Sequence, residues 1–209
     1  MIHDSDRSYY IGASDVRFVM GNYETKTFEA WYRTKQGFSS RDMKTDAMLA
    51  GTYYEHRILD AINVPELVKD AQIIWGRLRV NLDGCTKDTI YEIKTHKLDK
   101  AFKVSKAYWQ QVQVQMYVTG IRKAYIIAYA LTEAEYANYY LDIDKSRISI
   151  HPIEYDEKFS LSLFTLLSTA TVNLAIAMAV SPLLYLISGS LVSLPISTTF
   201  IHTISFILF

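Results

Sequence analysis

The chain has 209 residues, half of them apolar and 13% aromatic, enough to bury one good core as a single domain. Its 22 basic and 22 acidic residues cancel to zero formal charge, so composition carries no global nucleic-acid signal. One cysteine, Cys85, excludes an internal disulfide and suits a reducing cytoplasm, and the polar, charged residues 1–10 do not read as a secretory leader.

Taken in chain order, Ser14 reads as the N-cap of a short helix reaching about Met20, and Thr25 or Thr27 starts another that ends near Gly37. Residues 41–62 read as a long helix, with Leu49, Ala50, Tyr53, Tyr54, Ile58 and Ala61 forming an apolar stripe at three-and-four spacing. Strands are expected at 71–75, 77–82 and 89–95. Residues 108–120 read as a helix closed by Gly120 at a C-cap position. Further β-rich runs follow at 124–131, 136–143 and 148–153. Helices before a sheet, a helix within it and strands after it make an α/β pattern.

The chemistry concentrates on two of these strands. Glu92 and Lys94 are two apart, so on an extended strand both leave by one face while Tyr91 and Ile93 leave by the other. Turn-type residues 84–88 separate Asp83 from that strand, so a hairpin-like pairing is expected to bring Asp83 beside Glu92. Two carboxylates a few ångströms apart suit Mg2+ or Mn2+, and an ammonium beside them suits phosphodiester hydrolysis. A lone Glu-x-Lys is common, and an isolated Glu55 reads first as a solvated helix carboxylate. The helix at 108–120 adds four glutamines, Gln110, Gln111, Gln113 and Gln115, set among aromatic and apolar residues; their amides can hold a phosphate or a water without adding charge. Lys94, Lys97, Lys100, Lys103 and Lys106 recur every third residue with His96 among them, as either a DNA-backbone track or a solvated loop.

The motifs Ile11-Gly12-Ala13-Ser14-Asp15, Gly51-x-x-x-Glu55, Leu82-Asp83-Gly84, Glu92-Ile93-Lys94 and the glutamine helix 109–120 stand in order over about residues 7–155. Together they resemble the YqaJ-type viral recombinases, relatives of bacteriophage lambda exonuclease in the PD-(D/E)xK superfamily. The resemblance implies an α/β nuclease core, with a central mixed sheet flanked by helices over residues 1–158. It implies Asp83, Glu92, the Ile93 carbonyl and Glu55 as metal ligands, Mg2+ as cofactor with Mn2+ as the alternative, and Lys94 positioning the attacking water. Gln113, with Gln111 nearby, would meet the water network or the scissile phosphate; Arg7 and Ser14 would bind a terminal 5′-phosphate; Lys97, Lys100 and Lys103 would follow the DNA backbone. The implied activity is 5′→3′ digestion of one strand of linear duplex DNA, leaving 3′ overhangs for a single-strand annealing protein, by a ring-shaped homotrimer. A lone cysteine argues against the iron–sulfur nucleases of the superfamily. The other readings open at this stage are an inactive or regulatory nuclease-fold module on a membrane tail, and a PD-(D/E)xK endonuclease.

The tail departs from the pattern. All charged residues fall at or before Lys158, and residues 159–209 carry none. Two apolar windows, about 161–187 and 190–209, approach the ~20 residues that span a bilayer. The basic flanks that orient membrane helices are missing. A frameshift, a fusion or a membrane segment is therefore expected there, and it bears on whether the trimer forms.

Overall fold

The computed structural model describes residues 10–35, 45–75 and 78–165; the expectations placed on Arg7, on Gly37 and on most of the apolar tail lie outside them. The described residues fall into two compact units, one holding residues 10–17, 45–75 and 78–160, the other residues 18–35 and 161–165. Among the described residues no helix is long and apolar enough to cross a membrane.

In the larger unit, β1 (Ile11–Gly12) leads into a 3-10 turn (Ala13–Asp15) and α1 (Val16–Val19), which runs on into the other unit. Gly12 takes the cap position expected of Ser14: its N–H donates to Asp15 Oδ2 at 2.8 Å, leaving Ser14 exposed within the turn. In the smaller unit, α2 (Lys26–Lys35) starts where the Thr25 hydroxyl accepts the Phe28 N–H at 3.1 Å, and Phe18, Tyr23, Phe28, Trp31 and Tyr32 form an aromatic cluster around it.

The long helix α3 (Asp46–Ile62) begins at Thr45, whose side chain accepts the Met48 N–H, and ends at Asn63 in the left-handed region. β2 (Val68–Trp75), β3 (Leu78–Cys85) and β4 (Thr89–Lys97) follow, then α4 (Lys106–Thr119) between the caps Ser105 and Gly120, the latter at φ 76°. β5 (Lys123–Leu131), α5 (Glu133–Ala137), a 3-10 turn (Lys145–Arg147) and β6 (Ile148–Glu154) follow, and residues 157–165 are helical. The expected strand over 136–143 is not there. Thr132 and Glu135 instead form a capping box that starts α5, and Tyr136, Tyr139 and Ile143 pack on the core without joining the sheet.

The six strands form one mixed sheet. β4 lies parallel to β5 and antiparallel to β3, β6 is antiparallel to β5, β2 borders β3 on its other side, and β1 pairs parallel with the start of β3. On one face α3 supplies Ala50, Tyr54, Ile58 and Leu59 to a core completed by Ile93, Ile127, Tyr129 and Leu131. Strand alternation sends Glu92, Ile126 and Ala128 to the opposite face, where α4 packs. Gly84 lets β3 and α3 approach closely: a Cβ there would stand 2.9 Å from a Leu59 methyl carbon, and that side chain would have to shift.

Candidate active site

The pairing of β3 with β4 is brief, which is what opens the site. Gly84 faces Tyr91 and Cys85 faces Ile90; beyond these two pairs the strands part, and β1 takes the place beside β3 at Leu78 and Arg79. Asp83 is the first residue inside the opening, and its Oδ2 accepts the Ile93 N–H at 2.7 Å across the gap. β3 therefore continues past the expected end at residue 82, and Asp83 lies within the strand rather than after it.

Glu92, 1% exposed, sits on the α4 side of this opening. Its Oε1 accepts from the Lys94 ammonium and from Gln111 Nε2 at 2.6 Å; its Oε2 accepts from Gln115 Nε2 at 2.5 Å. The two-residue period of β4 places Lys94 on the Glu92 face, as read from the sequence, and its Nζ stands 5.1 Å from the centre of the Tyr108 ring. Gln111 and Gln115 share a face because one helical turn separates them.

The electrostatics are those of crowded anions. Burial, then the charges of Glu92 and Glu55, push the Asp83 carboxyl well above the usual range, with Lys94 and the Ile93 N–H offsetting only part of it. Burial and Glu92 likewise raise Glu55. Burial pulls the Lys94 ammonium down, yet the facing carboxylates Glu92 and Asp83 outweigh it and hold it above its ordinary value. Three carboxylates thus share one close ammonium. That surplus of negative charge, carried on hard oxygen donors, fits a divalent cation such as Mg2+ or Mn2+.

Glu55 has a second set of neighbours. Its carboxylate and ligand atoms of His56 and Asp70 lie within 4.8 Å of one another, and His56 Nε2 stands 2.9 Å from Asp70 Oδ2. Among the described residues no other trio of such side chains, that of Glu55, Asp83 and Glu92 included, is grouped this tightly.

The remaining expected residues divide. Gln113 is not brought to the cluster: its Nε2 donates to the Glu154 carbonyl at 2.6 Å and its Oε1 accepts the Asp156 N–H at 2.8 Å, fastening the end of β6 to α4. Gln115, which sequence reasoning did not single out, reaches Glu92 beside Gln111; the i, i+4 spacing from Gln111 was the available signal. Ser14 is exposed on the 3-10 turn that packs against α4. Lys97, at the end of β4, and Lys100 and Lys103 just beyond it are all exposed, and Cys85 is a free thiol at the end of β3.

No family model matches the chain, and no curated protein matches it. Solved structures do. An alkaline exonuclease from Laribacter hongkongensis is 20% identical with a TM-score of 0.65, over 84% of this chain and 92% of that one. The same enzyme in complex with dAMP gives 18% identity and a TM-score of 0.64 over the same shares. A phage-related exonuclease from Haemophilus somnus 129PT is 15% identical with a TM-score of 0.61, over 84% of this chain and 98% of that one. The chain therefore shares the fold of these alkaline and phage-related exonuclease structures, a mixed sheet between helices.

Proposed function

We propose that this chain is a divalent-metal-dependent deoxyribonuclease that digests linear duplex DNA from its ends, 5′→3′, leaving 3′ overhangs for a single-strand annealing partner. The observation that carries the reading is the meeting of Asp83, Glu92 and Lys94 where β3 and β4 part. Its support from outside the chain is the shared fold with exonucleases, one of them solved with dAMP.

Asp83 and Glu92 would hold Mg2+ or Mn2+, with Glu55 as the third carboxylate and the Ile93 carbonyl as a backbone donor. Bound there, the ion would lower the pKa of a water and offset charge building on the scissile phosphate. The protein's groups do the positioning. Lys94, kept charged by its two carboxylate neighbours, can orient the attacking water or donate to the leaving oxygen. Gln111 restrains Glu92 from the helix side, and the Ile93 N–H restrains Asp83 from the strand side. Exposed Ser14, with Arg7, would take a terminal 5′-phosphate, while Lys97, Lys100 and Lys103 would meet backbone phosphates without reading sequence. We place the enzyme in the cytoplasm, and assembly as a homotrimer would account for processive digestion.

The test is Mg2+-dependent digestion of linear duplex DNA bearing either 5′-phosphate or 5′-hydroxyl ends. Rapid loss of the phosphorylated substrate, slowed about a hundredfold or more by Lys94→Ala and by Asp83→Asn, is the expected result. Equal cutting of covalently closed circular DNA would overturn the exonuclease reading.

A further inference from the structure

Gln115 holds more than Glu92 needs. The residue is fully buried on α4, and its Nε2 group spends one proton on Glu92 Oε2 at 2.5 Å and the other towards the Asn81 backbone carbonyl at 3.3 Å. Only the NH2 end of an amide can face a carboxylate, so Oε1 must point away from Glu92. That oxygen is buried and has no hydrogen-bond partner among the described residues, and it is the one such side-chain atom found there. A buried acceptor left unsatisfied is costly, and each such atom calls for an explanation.

The lone pairs of Glu92 indicate where the explanation lies. Oε1 already accepts two donors, Lys94 and Gln111, whereas Oε2 accepts only Gln115. The free coordinating position of Glu92 is therefore on the oxygen that Gln115 touches. Mg2+ gives up its waters reluctantly and keeps several when bound by one or two carboxylates. Waters on a cation present protons outward and require acceptors. A neutral amide oxygen offers one without adding a fourth negative charge to Glu55, Asp83 and Glu92.

We propose that Gln115 is a positioning residue with two ends: Nε2 fixes Glu92 Oε2 towards the cation, and Oε1 accepts a hydrogen bond from a water of the cation's hydration shell. This rests on the reading of the Asp83 and Glu92 cluster as a divalent-cation site. Gln113, with both ends of its amide committed to β6 and the chain after it, serves as an internal reference.

The experiment has two arms on the whole chain. In the first, the parent protein labelled with 15N in its glutamine side chains is titrated with Mg2+; the Gln115 and Gln111 amide resonances should move together while Gln113 stays in place. Movement of Gln111 with Gln115 unmoved overturns the proposal. If neither moves and calorimetry detects no Mg2+ binding, the cation-site reading itself has failed and takes this inference with it. In the second arm, Gln115→Met keeps the volume and removes both donor and acceptor. Mn2+ affinity measured by calorimetry should fall about tenfold, the scale of lost support behind a metal ligand. A variant that folds and binds Mn2+ as tightly as the parent overturns the proposal, and should it not fold, the resonance titration decides alone.

Discussion

Two buried carboxylates, Glu92 and Glu135, sit in networks of opposite character. Glu135, on α5, accepts from both Arg147 nitrogens at 2.5 and 2.9 Å, from Tyr129 OH at 2.6 Å, and from the Thr132 N–H and hydroxyl at 2.8 Å. Burial alone would raise its carboxyl, but Arg147 and the other donors bring it down to about 2. Every negative charge there has its partner. Around Glu92 the count runs the other way, with Asp83 and Glu55 added to one close ammonium, and Asp83 is pushed up rather than down. The first network fastens a loop to the sheet, and the second is left unbalanced until a cation arrives. Closed networks serve stability, and open ones mark where a ligand completes the charge.

Substitutions should separate the two. The largest effect is expected at Lys94→Ala, which should slow DNA digestion about a hundred- to ten-thousand-fold, the range for removing a positioned proton-transfer or oxyanion group; steady-state assay with purified protein checks it. Glu135→Gln should instead cost roughly 3–5 kcal/mol in denaturant unfolding, because it leaves Arg147 without its buried counter-charge, while activity per folded molecule is retained. Asp83→Asn should do the reverse. It slows digestion within the same range as Lys94→Ala yet holds or raises the thermal midpoint in chelator, since it removes a charge that its neighbours repel and can still accept the Ile93 N–H. Loss of stability in Asp83→Asn comparable to that in Glu135→Gln would erase the distinction between the two networks.

The pH dependence follows from the closed network. Glu135 titrates near 4.5 when free and about 2 in the fold, so its stabilisation is whole above about 4.5 and is lost as pH falls from there through about 2. Tyr129, raised to about 12 by burial and by Glu135, gives the opposite limb: its contribution is present below 10 and is lost as pH rises through about 12. Unfolding free energy against pH should therefore have a shallower alkaline limb in Tyr129→Phe and a shallower acid limb in Glu135→Gln, the remainder coming from other raised tyrosines such as Tyr54 and other lowered carboxyls such as Asp144. Gln113→Met should be milder, about 1–3 kcal/mol for the unsatisfied Glu154 carbonyl and Asp156 N–H, with Mg2+ affinity unchanged. The smallest change is expected on the lysine track, where replacing Lys97, Lys100 and Lys103 by Ala should flatten the log–log salt dependence of DNA binding by about 0.9 for each lysine that meets a phosphate.

What could be read in advance was what short-range geometry dictates. Glu92 and Lys94 share a face because a strand alternates, and Asp83 comes to β4, where it takes the Ile93 N–H, because the turn between the strands is short. The helix at 108–120 was equally legible from its cap, but which of its glutamines faces the sheet was not. Gln113 and Gln115 differ by about 200° around the helix axis, and only the packing of α4 on the sheet decides that Gln115 reaches Glu92 while Gln113 reaches β6. The segment 136–143 looked β-rich because of its tyrosines, although Thr132 and Glu135 already spelled a helix start. Glu55 shows the limit of reading by motif: its helix was evident, but its closeness to His56 and Asp70 depends on β2 passing alongside α3.

Calorimetric titration of Mg2+ into the whole chain, compared with Glu92→Gln and His56→Ala, tests the site most directly. Binding in the parent that disappears in Glu92→Gln and persists in His56→Ala is the predicted result. Binding that survives Glu92→Gln but is lost in His56→Ala would move the cation to the Glu55, His56 and Asp70 group and contradict the assignment of the opening between β3 and β4 as the metal centre.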